Sequence, residues 1–126
     1  MSTEDLPAFT FVLPVFNEAE NVPILAQRLI EVGEQIGGQF EIVWVNDGST
    51  DGTETALEAL AQADARHRVY HFSRNFGHMA ALTAGLELAR ATDALVCLDA
   101  DGQHPPELIP TLVARWRDGV DVVQAV

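Results

Sequence analysis

Ile42-Val43-Trp44-Val45 runs without a break into Asn46-Asp47-Gly48-Ser49-Thr50-Asp51. No polar residue interrupts the apolar part. A strand with one wet face alternates apolar and polar residues. An unalternated apolar run fits a strand covered on both faces, as in a parallel sheet flanked by helices. The chain has a second such run, Ala94 to Leu98, which leads into Asp99-Ala100-Asp101-Gly102-Gln103-His104-Pro105-Pro106. Both runs end in acids, amides and Gly, the residues of turns.

The neighbouring segments fit the same scheme. Phe9 to Leu13 is a short strand that Pro14 is expected to end. From Glu18 to Ile36 the period becomes helical, with Val22, Leu25, Leu29, Val32 and Ile36 on one stripe. Asn21 and Pro23 suit its start, and Gly37-Gly38 its stop. The second strand is Glu41 to Val45. Asp51 or Ser49 can cap a helix carrying Ala56, Leu57, Leu60 and Ala61. Arg68 to Phe72 reads as a third strand, Met79 to Ala91 as a helix, and Ala94 to Leu98 as the fourth strand. A helix over Glu107 to Trp116, with Leu108, Leu112 and Val113, and a fifth strand from Gly119 to Val126 complete the order. Alternating βα units predict a Rossmann-like, doubly wound α/β domain with right-handed crossovers and helices on both faces. Residues 1–8 are expected to be a tail and 9–126 the domain.

Composition narrows the function. The chain has 126 residues, 48% of them hydrophobic, enough for one core. Its net charge is -12, with seven Arg and no Lys, which argues against a nucleic-acid partner. Cys97 lies in an apolar run, and a lone Cys excludes an intramolecular disulfide. The acidic start resembles no signal peptide, and no stretch reaches the roughly 18 apolar residues of a membrane span. A cytoplasmic location is expected.

In open α/β sheets, ligands sit beyond the carboxyl ends of the strands. Those ends carry Pro14 to Glu18, Asn46 to Asp51, Ser73 to His78, and Asp99 to Gln103. In extended backbone Asp99, Asp101 and Gln103 share one side. Two close carboxylates repel unless a cation lies between them, and hard oxygen donors suit Mg²⁺ or Mn²⁺. A divalent ion bridging the protein to a phosphorylated ligand follows. Asp47 could accept a hydrogen bond from a nucleobase N–H, Phe16 could stack on a base, and Arg74 could contact phosphate. Each also has an ordinary structural reading as turn, core or surface residue. His67, His71 and His78 show no ligand spacing. Neither a G-x-G-x-x-G nor a Walker loop is present.

"LPVFNEAEN", "VNDGSTDGT", "RNFGHMAALTAGLELA" and "LDADGQHPPE", in this order, resemble the inverting family 2 glycosyltransferases of GT-A fold, especially the polyprenyl-phosphate branch. The resemblance covers roughly residues 9 to 126. It implies that Asp99, Asp101 and Gln103 hold Mg²⁺ or Mn²⁺ on the diphosphate of a UDP- or GDP-sugar. Asp47 would contact the base. Pro14, Phe16 and Glu18 would line the nucleotide pocket, with Arg74 and Asp99 also at the donor. The acceptor would be a lipid phosphate at the cytoplasmic membrane face. The commoner "DDGS" is "NDGS" here, with Asn46 first. Because the second acid is kept, binding is expected to survive. The acceptor loops and general base are expected beyond Val126, so this chain is read as a truncated domain that transfers sugar poorly by itself. Its apolar end, "VVQAV", is expected to favour homo-oligomers. Two other classes stay open on the residues: a Mg²⁺-dependent nucleotidyltransferase, and a receiver-like module without enzymatic activity.

Overall fold

The computed structural model of the chain describes residues 7–37, 39–91, 94–98 and 123–124. It contains strands β1 (Phe9–Val15), β2 (Phe40–Asn46), β3 (His67–His71), β4 (Ala94–Cys97) and β5 (Val123–Gln124), and helices α1 (Val22–Ile36), α2 (Thr53–Ala63) and α3 (His78–Leu88). The sheet order is β3-β2-β1-β4-β5, and every pairing is parallel. From β1 the chain steps outward to β2 and β3, then returns past β1 to β4. With right-handed crossovers this reversal places α1 and α2 on one face and α3 on the other.

Burial follows that division. Phe9, Phe11, Leu13 and Val15 of β1 and Phe40, Ile42 and Trp44 of β2 pack with Val22, Leu25 and Leu29 of α1 and Leu57 of α2. The alternate residues Val43 and Val45 pack with Ala81 of α3. Ile42 to Val45 are all fully buried, as expected of a strand covered twice. Gly85 lets α3 lie close on the sheet, since a Cβ there would enter the Val12 side chain. The doubly wound α/β class expected from the sequence is the one observed.

Boundaries differ in instructive ways. Pro14 does not end β1, which continues to Val15. In a parallel ladder alternate residues bond to opposite neighbours. Val12 accepts from Leu98 on the β4 side, and Val15 accepts from Asp47 on the β2 side. Pro14 therefore faces the β4 side, where described pairing stops at Val12 with Cys97, and its missing N–H breaks no ladder bond. Helix α1 starts at Val22 with Asn21 as N-cap and Pro23 in its first turn, as expected; the helical period read from Glu18 begins earlier than the helix because Asn17, at φ 54, turns the chain first. Gly37 ends α1 as expected, its N–H donating to Gly33 O. Helix α3 ends at Leu88, and Ala89 is already extended. Asp51 is not the N-cap of α2, which is Gly52, but it accepts from the N–H and hydroxyl of Thr53 in the first turn. The expected helix over 107–116 lies outside the described residues, and of the fifth strand Val123 and Gln124 pair with Val96 and Cys97.

Two buried polar clusters escaped the sequence reading. Glu41, 2% exposed, accepts from Thr10 Oγ1 at 2.6 Å, Arg68 Nη1 at 2.8 Å, Arg90 N at 2.7 Å and Arg90 Nε at 2.9 Å. Trp44, fully buried, donates its indole N–H to His67 Nδ1 at 3.0 Å. His67 is therefore neutral with its proton on Nε2.

Burial pushes His67 below its ordinary pKa of 6.5, against the pull of Asp64. As pH falls below 6.5 the unfolded chain takes up this proton first, so stability is complete above that value and erodes below it until the folded pKa is reached. His67→Gln keeps an acceptor for Trp44 and removes the titration. Urea midpoints at pH 8, 7, 6 and 5 should fall less steeply for the variant than for the wild type. Equal slopes would refute the assignment.

Candidate functional site

The loop after β1 is tied to the loop after β2. Asn17 N–H donates to Ser49 Oγ at 2.9 Å, and Asn17 Oδ1 accepts from Thr50 N–H at 2.8 Å. Glu18 N–H donates to Thr53 Oγ1 at 3.0 Å, and Ala19 N–H to Asp51 Oδ2 at 3.3 Å. An Asn is well suited to the left-handed conformation that begins this loop. The lacing holds Phe16 at the carboxyl end of β1, 45% exposed.

The loop after β3 hangs on Asp47. Its carboxylate, 3% exposed, accepts from Phe76 N–H at 2.7 Å, Gly77 N–H at 3.1 Å and Asn75 Nδ2 at 3.2 Å. A carboxylate offers about four acceptor positions, so roughly one remains for a ligand. Gly48, at φ 70, lies flat against this loop, and a Cβ there would collide with the backbone of Arg74 and Asn75. No side chain fits, which gives the Gly after Asp47 a physical reason.

Two clefts open between these loops at the carboxyl ends of β1, β2 and β3. The larger, about 460 Å³, is bordered by Phe16, Asn46, Ser49, Glu54, His71 and Arg74. The smaller, about 190 Å³, is bordered by Pro14, Phe16, Asp47, Asn75, Gly77 and His78. Phe16 and Asn75 border both. Arg74 lies over the Phe76 ring at 4.6 Å, and that ring meets Phe72 edge-on at 5.5 Å. Among the described residues Arg74 makes no ion pair, whereas Arg66, Arg68 and Arg90 all do. Among the described residues its recorded partner is the Phe76 ring rather than a carboxylate.

Of the residues expected at a site, the structure gathers Pro14, Phe16, Asp47 and Arg74 around these clefts. Glu18 borders neither; its carboxylate accepts from Asn21 Nδ2 at 2.7 Å, within its own loop. Asp99, Asp101 and Gln103 lie outside the described residues. Their lead-in is described: Leu98 N–H donates to Val12 O at 3.0 Å, so β4 runs beside β1 up to the motif, where the strand order reverses. Among the described residues no group of three or more His, Cys, Asp or Glu is placed to hold a metal. The all-oxygen set Asp99, Asp101 and Gln103 fits Mg²⁺ or Mn²⁺ by donor chemistry. Among the described residues no helix is long and apolar enough to cross a membrane.

Sequence reading missed Asn17, Asn75 and the partners of His71. Asn17 carried a weak signal, an Asn straight after a strand. The bond from Asn75 to Asp47 spans 28 positions and has no local signature.

Residues 10–126 match the sequence profile described as glycosyl transferase family 2. A prophage bactoprenol glucosyl transferase homolog of Escherichia coli K12 is 44% identical over 116 residues, 92% of this chain and 38% of that protein. The undecaprenyl-phosphate 4-deoxy-4-formamido-L-arabinose transferase of Proteus mirabilis is 40% identical over 98% of this chain and 38% of its own length. The chain thus spans well under half of these relatives. Among solved structures, the mannosyltransferase PcManGT of Pyrobaculum calidifontis, in complex with GDP-Man and Mn²⁺, superposes with a TM-score of 0.68 at 25% identity, over 88% of this chain and 32% of that one.

Proposed function

Since this chain belongs to glycosyl transferase family 2, we propose that residues 9–126 form the donor-binding part of a glycosyltransferase that takes a sugar from a nucleoside diphosphate and passes it to a polyprenyl phosphate at the cytoplasmic membrane face. The observation that carries this reading is the pair of clefts at the carboxyl ends of β1–β3, beside the point where β4 leads into Asp99. The names of the two relatives, acting on bactoprenol and undecaprenyl phosphate, support the acceptor. The GDP-Man and Mn²⁺ complex of the structural neighbour supports the donor class and the metal.

In this reading the base lies in the clefts against Phe16, with the free acceptor position of Asp47 in reach of a base N–H. Arg74 faces the diphosphate. Asp99, Asp101 and Gln103 would hold Mg²⁺ or Mn²⁺, which when bound supplies positive charge to the departing diphosphate. The reaction is one displacement at the anomeric carbon: an acceptor oxygen forms the new bond as the bond to the diphosphate oxygen breaks, with inversion. The donor is a UDP- or GDP-sugar. The protein's own part is to orient the donor and exclude water.

Asp101→Asn tests the site. It should leave the fold intact and lower Mn²⁺-dependent affinity for UDP or GDP about tenfold or more in calorimetry. Unchanged affinity would remove the metal assignment. Failure of the unaltered chain to bind either nucleotide with Mn²⁺ would remove the donor reading altogether.

A further inference from the structure

We propose that His71 is a positioning residue that sets the shape of the larger cleft through Asn46, and that it does so only while neutral. The Ser49 backbone N–H can only donate, so the Asn46 atom 3.1 Å away is Oδ1. The Asn46 amide nitrogen then faces His71 Nδ1 at 3.0 Å. Because that NH₂ group also only donates, Nδ1 must present a lone pair. The single proton of the neutral ring sits on Nε2, 2.6 Å from Glu58 Oε1, which accepts it. Donation therefore runs one way through three elements: from the turn after β2 to Asn46, from Asn46 to His71 on β3, and from His71 to Glu58 on α2.

Asn46 is 2% exposed, so water does not readily replace a lost partner. Asn46, Ser49 and His71 all border the larger cleft, and the other charged groups bordering it are Glu54 of α2 and Arg74 of the loop after β3. A proton on Nδ1 would set two donors against each other. Turning the Asn46 amide over only moves the conflict, since its NH₂ would then meet the Ser49 N–H. Either way one bond that fixes the turn is lost. Asn46→Asp reverses the logic. A carboxylate accepts from Ser49 and from a protonated Nδ1 together, so the variant keeps its turn when His71 is charged.

The inference rests on the proposed donor cleft for its functional meaning, but its first test needs no ligand. Ring and amide ¹⁵N resonances of the 126-residue chain are followed from pH 8 to pH 5. At pH 8 His71 should carry its proton on Nε2. On acidification the Ser49 amide should shift with the same midpoint as the His71 ring, and in Asn46→Asp that linkage should weaken. A proton on Nδ1 at pH 8, or a Ser49 amide indifferent to His71, overturns the proposal. The second test is UDP and GDP affinity with Mn²⁺ at pH 8 and at a pH below the His71 midpoint found in the first test. Wild-type affinity should fall about tenfold more than that of Asn46→Asp, roughly one hydrogen bond's worth. Equal falls overturn the positioning role. Absence of nucleotide binding at pH 8 counts against the donor reading instead, and the resonance experiment still decides the linkage.

Discussion

Glu41→Leu is expected to lower the unfolding free energy by about 3–5 kcal/mol, the range for breaking a buried ion pair from one side. Leucine fills similar space but accepts nothing. Arg68, the hydroxyl of Thr10 and the Arg90 backbone N–H all lose their common partner. Arg90 is 39% exposed and can turn to water, whereas Arg68, at 20%, is more confined. The double variant Glu41→Leu/Arg68→Leu should therefore recover part of the loss, because no unpaired buried cation remains. Urea unfolding of the three proteins measures this. A single-variant loss below about 1 kcal/mol would mean that the cluster is no more than a surface pair. The same cluster sets an acid limit. Burial by itself would raise the Glu41 pKa, but the bonds from Thr10, Arg90 and Arg68 outweigh it and hold it below 4.5. Its contribution is complete above 4.5 and is lost as pH falls through the lower folded value.

Asp47→Ala should have an effect of similar size, with a different signature. The N–H groups of Phe76 and Gly77 lose their acceptor, and Asn75 Nδ2 keeps only the Asp47 backbone carbonyl. Hydrogen bonds to a charged group contribute about 1.5–3 kcal/mol each, and a loop near the surface regains some from water, so a net loss of about 3–5 kcal/mol is expected. The damage should be local first. Amide exchange at Phe76 and Gly77 should accelerate well before exchange at Ile42 in the core. Because Arg74 and Phe76 ride on this loop, nucleotide affinity should drop more than tenfold even where the protein is folded. Unchanged exchange at Phe76 and Gly77 would show that the loop does not depend on Asp47.

The sequence determined the class of fold and the end of the sheet at which the candidate site lies. Ile42 to Val45 and Ala94 to Leu98 lack alternation, which fits strands covered on both faces. The helical stripe ending at Gly37 and the turn residues after each strand put the polar loops at one end. Four ordered motifs resemble family 2, and the match of residues 10–126 to that family, not the residues alone, removes the nucleotidyltransferase and receiver readings. Periodicity and turn chemistry are local properties, and local properties are legible in a chain. What each polar side chain in those loops touches was decided by the tertiary structure alone. Asp47 reads as an acid waiting for a base, yet most of its acceptor capacity goes to a loop 28 to 30 residues away. Glu41 reads as the polar first residue of a strand, yet it is buried beneath two arginines that arrive 27 and 49 positions later. Pro14 reads as a terminator, yet it sits inside β1 because its missing N–H points to the side where described pairing with β4 has ended. Hydrogen bonds are short-ranged and directional. Their partners are fixed only when the sheet order β3-β2-β1-β4-β5 brings distant loops to one edge.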